Sequence, residues 1–287
     1  MHSEREHRMA RGGMDRGVGV QMIDTAGSAN LARRRSAHPI MVRRRWVSGW
    51  DDEDKEPARR TRLRDQFVRP LSSAICVGTE AKVMAITFDD GPGPGTDMLL
   101  DVLAEYGVRA TFFMLSGAAR KRPETVARVV SAGHEIALHG PDHSRTTTWS
   151  LTRERTILRR AKEELEDVAG QAIRWYRPTY GAQRFTLVRH ASALGMDSLI
   201  WSGWAYDWER PDPSDVVDHA WRTRHPGEVL LLHDHVGDRP DGFRPPEFAA
   251  QVAGPLSKRL TADGWSILGV SELFSRYTPV RAGWFAI

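Results

Sequence analysis

Two adjacent carboxylates, Asp89 and Asp90, end an apolar run and lead into Gly91-Pro92, and fifty residues further on two imidazoles stand four apart at His139 and His143. Side chains of these types supply the parts of a hydrolytic metal centre. Oxygen and nitrogen donors hold a divalent ion, open positions take water and a carbonyl oxygen, and the acid left over serves as a base. Each half alone is weak. Asp-Gly-Pro is also good turn chemistry, and an isolated His pair is as readily a core or capping pair. Together they point to hydrolysis.

Such residues act only if elements from distant parts of the chain bring them together. After Pro70, apolar runs alternate with amphipathic stretches. Strands are expected at 83–88, 110–115, 135–138, 175–177, 198–201, 229–232 and 266–268, and helices at 98–106, 124–132, 152–168, 186–194, 214–224 and 247–262. This alternation predicts an α/β fold: a distorted (β/α) barrel of about seven mostly parallel strands. Asp89, Asp90, His139, Arg177, Asp207 and His233 each fall at or just past the C-terminal end of an expected strand, the rim where α/β barrels gather their loops.

Length and composition limit the alternatives. A chain of 287 residues with 40% hydrophobic content and ten Trp can bury a large core. No stretch approaches the length needed to cross a bilayer. The net charge of +4 is unevenly placed, because Arg33–Arg35, Arg43–Arg45 and their neighbours put the basic excess in the first seventy residues. We therefore expect a disordered, Arg-rich extension over 1–70 and a catalytic domain over 71–287, with no nucleic-acid partner for the whole protein. A tail that docks on phosphate or an anionic surface, and a start at Met22 or Met41, stand as other readings of that segment. One cysteine, Cys76, allows no internal disulfide. No apolar leader is visible, so the sequence leans to a cytoplasmic location. Oligomeric state is not legible.

Five ordered motifs carry a family resemblance: Thr87-Phe-Asp-Asp-Gly-Pro92, His139-x-x-x-His143, Arg177-Pro-Thr-Tyr-Gly181, Asp207-Trp208 and Leu231-Leu-His233. Over about residues 80 to 270 the chain resembles the NodB-homology polysaccharide deacetylases, carbohydrate esterase family 4. The resemblance implies one divalent metal, most often zinc, and removal of an acetyl group from an acetylated carbohydrate by metal-bound water. It implies Asp90, His139 and His143 as metal ligands and Asp89 as general base, oriented by Arg177, whose charge favours the ionised carboxylate. His233 becomes the general acid, with Asp207 fixing its tautomer and raising its pKa. Trp208 and Leu231 would line a pocket for the acetyl methyl, and the Tyr180 N–H would help hold the oxyanion.

The chain departs from the family pattern in places. Gly140 follows the first His where Ser or Thr is usual, Trp204 stands where an earlier Asp is frequent, and Thr179 replaces a common Pro. O-acetyl sugar esterase activity, hydrolysis of a non-sugar amide or imide, and an inactive glycan-binding module are the alternatives. His134, His190, His219, His225 and His235 are expected to be solvated or structural.

Overall fold

Val83–Asp89 reads VMAITFD, and every residue of it is buried. Only a strand covered on both faces can carry that pattern, and such strands lie at the centre of parallel sheets. A computed structural model describes residues 69–235 and 244–283. The expected N-terminal extension lies outside the described residues apart from Arg69 and Pro70, which open a short 3-10 turn.

In chain order the elements are β1 (Ser73–Gly78), β2 (Val83–Asp89), α1 (Thr96–Glu105), β3 (Thr111–Leu115), α2 (Ser116–Lys121), α3 (Pro123–Ser131), β4 (Glu135–Gly140), α4 (Leu151–Ala169) and β5 (Trp175–Tyr176). They continue with α5 (Phe185–Ala193), β6 (Asp197–Ser198), β7 (Gly203–Trp204), α6 (Pro213–Thr223), β8 (Glu228–His233), α7 (Phe248–Ala262), β9 (Ser266–Ile267), α8 (Val270–Arg276) and β10 (Thr278–Ala282). The main sheet runs β6-β5-β4-β3-β2-β8-β7, with β9 beside the start of β2. Every pairing in it is parallel. The two edge strands, β6 and β7, follow each other in sequence, so residues 199–202 span the gap between the edges. There β1 lies alongside: Ile200 N–H donates to Ala74 O, Ser202 N–H to Val229 O and Val77 N–H to Gly227 O. Strand β1 is in turn paired antiparallel with β10. The result is the expected distorted barrel with a seam.

The period of two along β2 sorts its side chains. Met84, Ile86 and Phe88 face the helices, in one cluster with Leu99, Leu103, Leu158 and Leu165. Val83 and Ala85 face the barrel interior with Phe113, Ala137, Trp175 and Val229. Thr87 and Asp89 continue that interior row toward the rim. Local signals fix the helices: Ser150 caps α4 by accepting from Arg153 N–H, Gly170 ends it in the left-handed conformation, and Asp212 caps α6 just before Pro213. The strand expected over 198–201 is shorter and earlier, at 197–198: the Leu199 N–H still reaches Tyr176 O on β5, but the Ile200 N–H turns to Ala74 O on β1. Five elements, β1, α2, β7, α8 and β10, were not expected from the sequence. Among the described residues no helix is long and apolar enough to cross a membrane.

Candidate metal and proton-transfer site

The barrel rim is built from the ends of β2, β4 and β8 and the loops that follow β5 and β7. Asp89, the last residue of β2, is the register partner of His233, the last residue of β8. Strand geometry alone therefore sets these two side by side. Asp90 then breaks the alternation by adopting φ of 78°, which turns its carboxylate toward β4 instead of back among the helices. His139 comes from the end of β4 and His143 from the loop beyond.

These three meet. Asp90 Oδ1 lies 3.2 Å from His139 Nε2 and 3.1 Å from His143 Nε2. The ligand atoms of Asp90, His139 and His143 all fall within 4.8 Å of one another. Asp90 Oδ1 is buried and accepts no well-aligned hydrogen bond, although two imidazole nitrogens crowd it. A buried anionic oxygen with no hydrogen-bond partner and two imidazole nitrogens converging on one point fit a divalent cation better than a hydrogen-bond network. The other ring nitrogen of His139, Nδ1, lies 2.9 Å from Arg177 O and donates to it. That contact leaves the Nε2 lone pair free for a metal. Burial alone would raise the Asp90 carboxyl, but the His139 and His143 imidazoles outweigh it and hold it well below the ordinary carboxylate range.

Asp89 lies beside this group without being part of it, its Oδ2 3.7 Å from His139 Nε2. Its Oδ1 accepts a 2.6 Å hydrogen bond from Arg177. The guanidinium, wholly buried, also donates to Thr87 Oγ1 at 2.8 Å and Ile200 O at 2.8 Å, and stacks 3.9 Å over the Phe113 ring. A cation so completely bonded cannot swing away from Asp89.

His233 makes two bonds to Asp207. Its backbone N–H donates to Oδ2 at 2.7 Å, and Nδ1 lies 3.1 Å from Oδ1. Burial pulls the imidazole pKa down, but the Asp207 charge and hydrogen bond, helped by Asp90 and Asp89, outweigh it and leave the group raised to about 9. Trp208 packs edge-on to His233 with ring centroids 5.4 Å apart. Leu231 is buried with Ile200 and Trp201, and Trp208 packs against this cluster. Tyr180 sits at φ of 60°, exposed, with its ring 4.3 Å from that of His143. All ten residues expected at the site come from the rim or the wall just beneath it.

The loop variation at Gly140 has a backbone reason. Its φ is 133°, a conformation glycine reaches freely and side-chain-bearing residues rarely do. Two residues escaped the sequence reading: Asp234 and Thr96, buried behind the Asp89-Asp90 loop. Burial pushes the Asp234 carboxyl up to about 7, against the opposing hydrogen bond from Thr96. The only sequence signal was an acid directly after His233. Of the remaining histidines, His134 Nδ1 accepts from Ala110 N–H, His190 pairs with buried Glu154, His219 packs against Tyr206 and His225 Nδ1 contacts Pro226 O. These contacts are structural, as expected.

Known proteins resemble the chain over this same region. A family profile described as polysaccharide deacetylase matches residues 77–199. A chitooligosaccharide deacetylase of Sinorhizobium fredii is 33% identical over 64% of this chain and 87% of its own length. A peptidoglycan-N-acetylglucosamine deacetylase of Bacillus cereus is 30% identical over 69% of this chain and 90% of its own. A peptidoglycan-N-acetylmuramic acid deacetylase of Bacillus subtilis is 26% identical over 86% of this chain, which spans only half the length of that relative. Among solved structures, a peptidoglycan N-acetylglucosamine deacetylase superposes with a TM-score of 0.65 at 26% identity, covering 72% of this chain and 94% of the other. With the parallel barrel, the rim constellation and these relatives in agreement, the chain belongs to the NodB-homology polysaccharide deacetylases, carbohydrate esterase family 4.

Proposed function

We propose that this protein is a metal-dependent hydrolase that removes acetyl groups from N-acetylated sugars. The observation that carries this reading is the convergence of Asp90, His139 and His143 at one point of the rim, with Asp89 on one side and His233 its neighbour across the sheet. The named activities of the relatives, on chitooligosaccharide and peptidoglycan, support a carbohydrate substrate.

Asp90, His139 and His143 would hold the ion, with zinc favoured by the nitrogen-rich donor set. When bound, a divalent ion at such a site polarises the acetyl carbonyl and makes water a better nucleophile near neutral pH. The remaining work falls to side chains. Asp89, held by Arg177, takes the proton from the attacking water as its oxygen bonds to the carbonyl carbon. The Tyr180 N–H, presented by the left-handed turn at that residue, helps hold the charge that gathers on the carbonyl oxygen. His233, protonated and oriented by Asp207, gives its proton to the leaving nitrogen as the carbon–nitrogen bond breaks. The products are acetate and a free amine. Trp208, with Leu231 behind it, supplies an apolar wall suited to the acetyl methyl.

A pseudoenzyme of the same family and a mutant of it with restored enzymatic activity superpose equally well, each with a TM-score of 0.62, at 24% and 25% identity, so the fold by itself does not establish catalysis. The full set of Asp89, Asp90, His139, His143 and His233 favours catalysis. The test is acetate release from N-acetylglucosamine oligomers, peptidoglycan and acetylated xylan, with added zinc and with chelator. Turnover on the first two and its loss with chelator are expected. Turnover on xylan alone would shift the reading to an O-acetyl esterase, and none on any substrate would sink it.

A further inference from the structure

The carboxyl of Asp234 has no place in the chemistry above, yet it is buried against the loop that carries Asp89 and Asp90. Its Oδ2 accepts a 2.6 Å hydrogen bond from Thr96 Oγ1. The same hydroxyl accepts a 2.8 Å bond from Gly93 N–H. Donating once and accepting once, Thr96 links the carboxyl to the loop backbone. Asp234 N–H also donates to Asp89 O at 3.3 Å, and Leu115 N–H donates to Gly91 O at 3.0 Å. The carboxyl lies so close to Gly91 that a Cβ there would come within 2.1 Å of Oδ2.

Residues 89, 91 and 93 are thereby pinned on both sides of Asp90. That residue holds a left-handed φ of 78°, a conformation that a non-glycine residue adopts rarely and keeps only where its surroundings over-determine it. We infer that Asp234, acting through Thr96, is a positioning residue that holds the Asp89-Asp90 loop so that Asp90 meets His139 and His143 while Asp89 stays level with His233. Because Asp234 directly follows His233, one residue ties the strand end of the proton donor to the loop of the proton acceptor. The inference deepens the reading of the same site and rests on it.

The test compares Thr96→Val, which keeps shape and removes the hydroxyl, with Thr96→Ser, which keeps the hydroxyl, and with Asp234→Ala and the Asp234→Ala/Thr96→Val double variant. Three quantities are read on the full chain: zinc affinity by competition with a chromogenic chelator, kcat and KM for acetate release from N-acetylglucosamine oligomers, and Tm. Residues that orient metal ligands change affinity or activity by about 10–100-fold when removed. Losses of that size in zinc affinity and kcat are expected for Thr96→Val and Asp234→Ala, with KM unchanged. Thr96→Ser stays near wild type, and the double variant is no worse than the worse single, because the two act as one unit. Folded Thr96→Val with wild-type zinc affinity and kcat would overturn the inference, as would Thr96→Ser being equally damaging. Should Asp234→Ala fail to fold, the Val and Ser variants decide alone. If the wild type binds zinc but releases no acetate, the hydrolase reading falls, and the zinc affinities of the variants still judge the role of Asp234.

Discussion

Asp89 and His233 share a register position on neighbouring strands but need opposite protonation states in the proposed reaction, and their partners supply the difference. Arg177 faces one, Asp207 the other. Asp89→Asn keeps size and the contact to Arg177 while removing the proton acceptor; it is expected to abolish turnover and leave zinc binding intact, measured by acetate release and by bound metal on the same sample. The His233 imidazole is held up to about 9, above its ordinary 6.5. A group raised in this way stabilises the folded protein fully below pH 6.5 and loses that contribution as pH climbs through about 9. Proton NMR of the chelated protein should show His233 titrating late, and Asp207→Asn should bring the midpoint down. Zinc should lower it too, because it cancels the anionic pull of Asp90; a midpoint that stays at the ordinary value in chelated wild type would refute the assignment. At this scale the convergence of Asp90, His139 and His143 was legible, since these are recognisable residue types at or just past strand ends. Asp234 and Thr96 were not, because a carboxyl that acts by bracing a loop looks like any other acid until its burial is seen.

Among the elements, β4 and its exit loop explain why Gly140 follows the first His. Restoring the family's hydroxyl by Gly140→Ser puts a side chain at φ of 133°. The backbone strain, about 1–3 kcal/mol, should lower Tm without improving zinc affinity, as calorimetry and chelator competition would report; tighter binding in this variant would contradict the backbone explanation. Long periodic segments such as α4 and α6 were readable because caps and apolar spacing agree. Shorter ones were not. Helix α2 has six residues and contains Gly117, and α8 has seven, both too short for a helical period to register. Strand β10 contains Pro279 and a buried Arg281, so its inward face does not look apolar.

For the molecule as a whole, Arg281 explains how a charged residue can lie inside. Asp197, at the start of β6, accepts from Arg281 through both oxygens, and Arg69 Nε donates to it at 2.8 Å. Removing one member of a buried ion pair leaves the other's charge uncompensated, which costs about 3–5 kcal/mol. Asp197→Ala should therefore lower the unfolding free energy read from urea titration by an amount in that range, and an unchanged midpoint would show that the pair is immaterial. The barrel itself was foreseeable from alternating strands and helices. Its closure was not, because that depends on β1 and β10 meeting residues 199–202.

The seam reaches further than stability. Ile200 takes a hydrogen bond from the very guanidinium that grips Asp89, while its own amide is tied to Ala74 on β1. The outermost strands of the domain thus act as a distant hand on the carboxylate proposed to activate water. Trimming or loosening β10, remote from every reacting atom, should slow deacetylation before any helix melts.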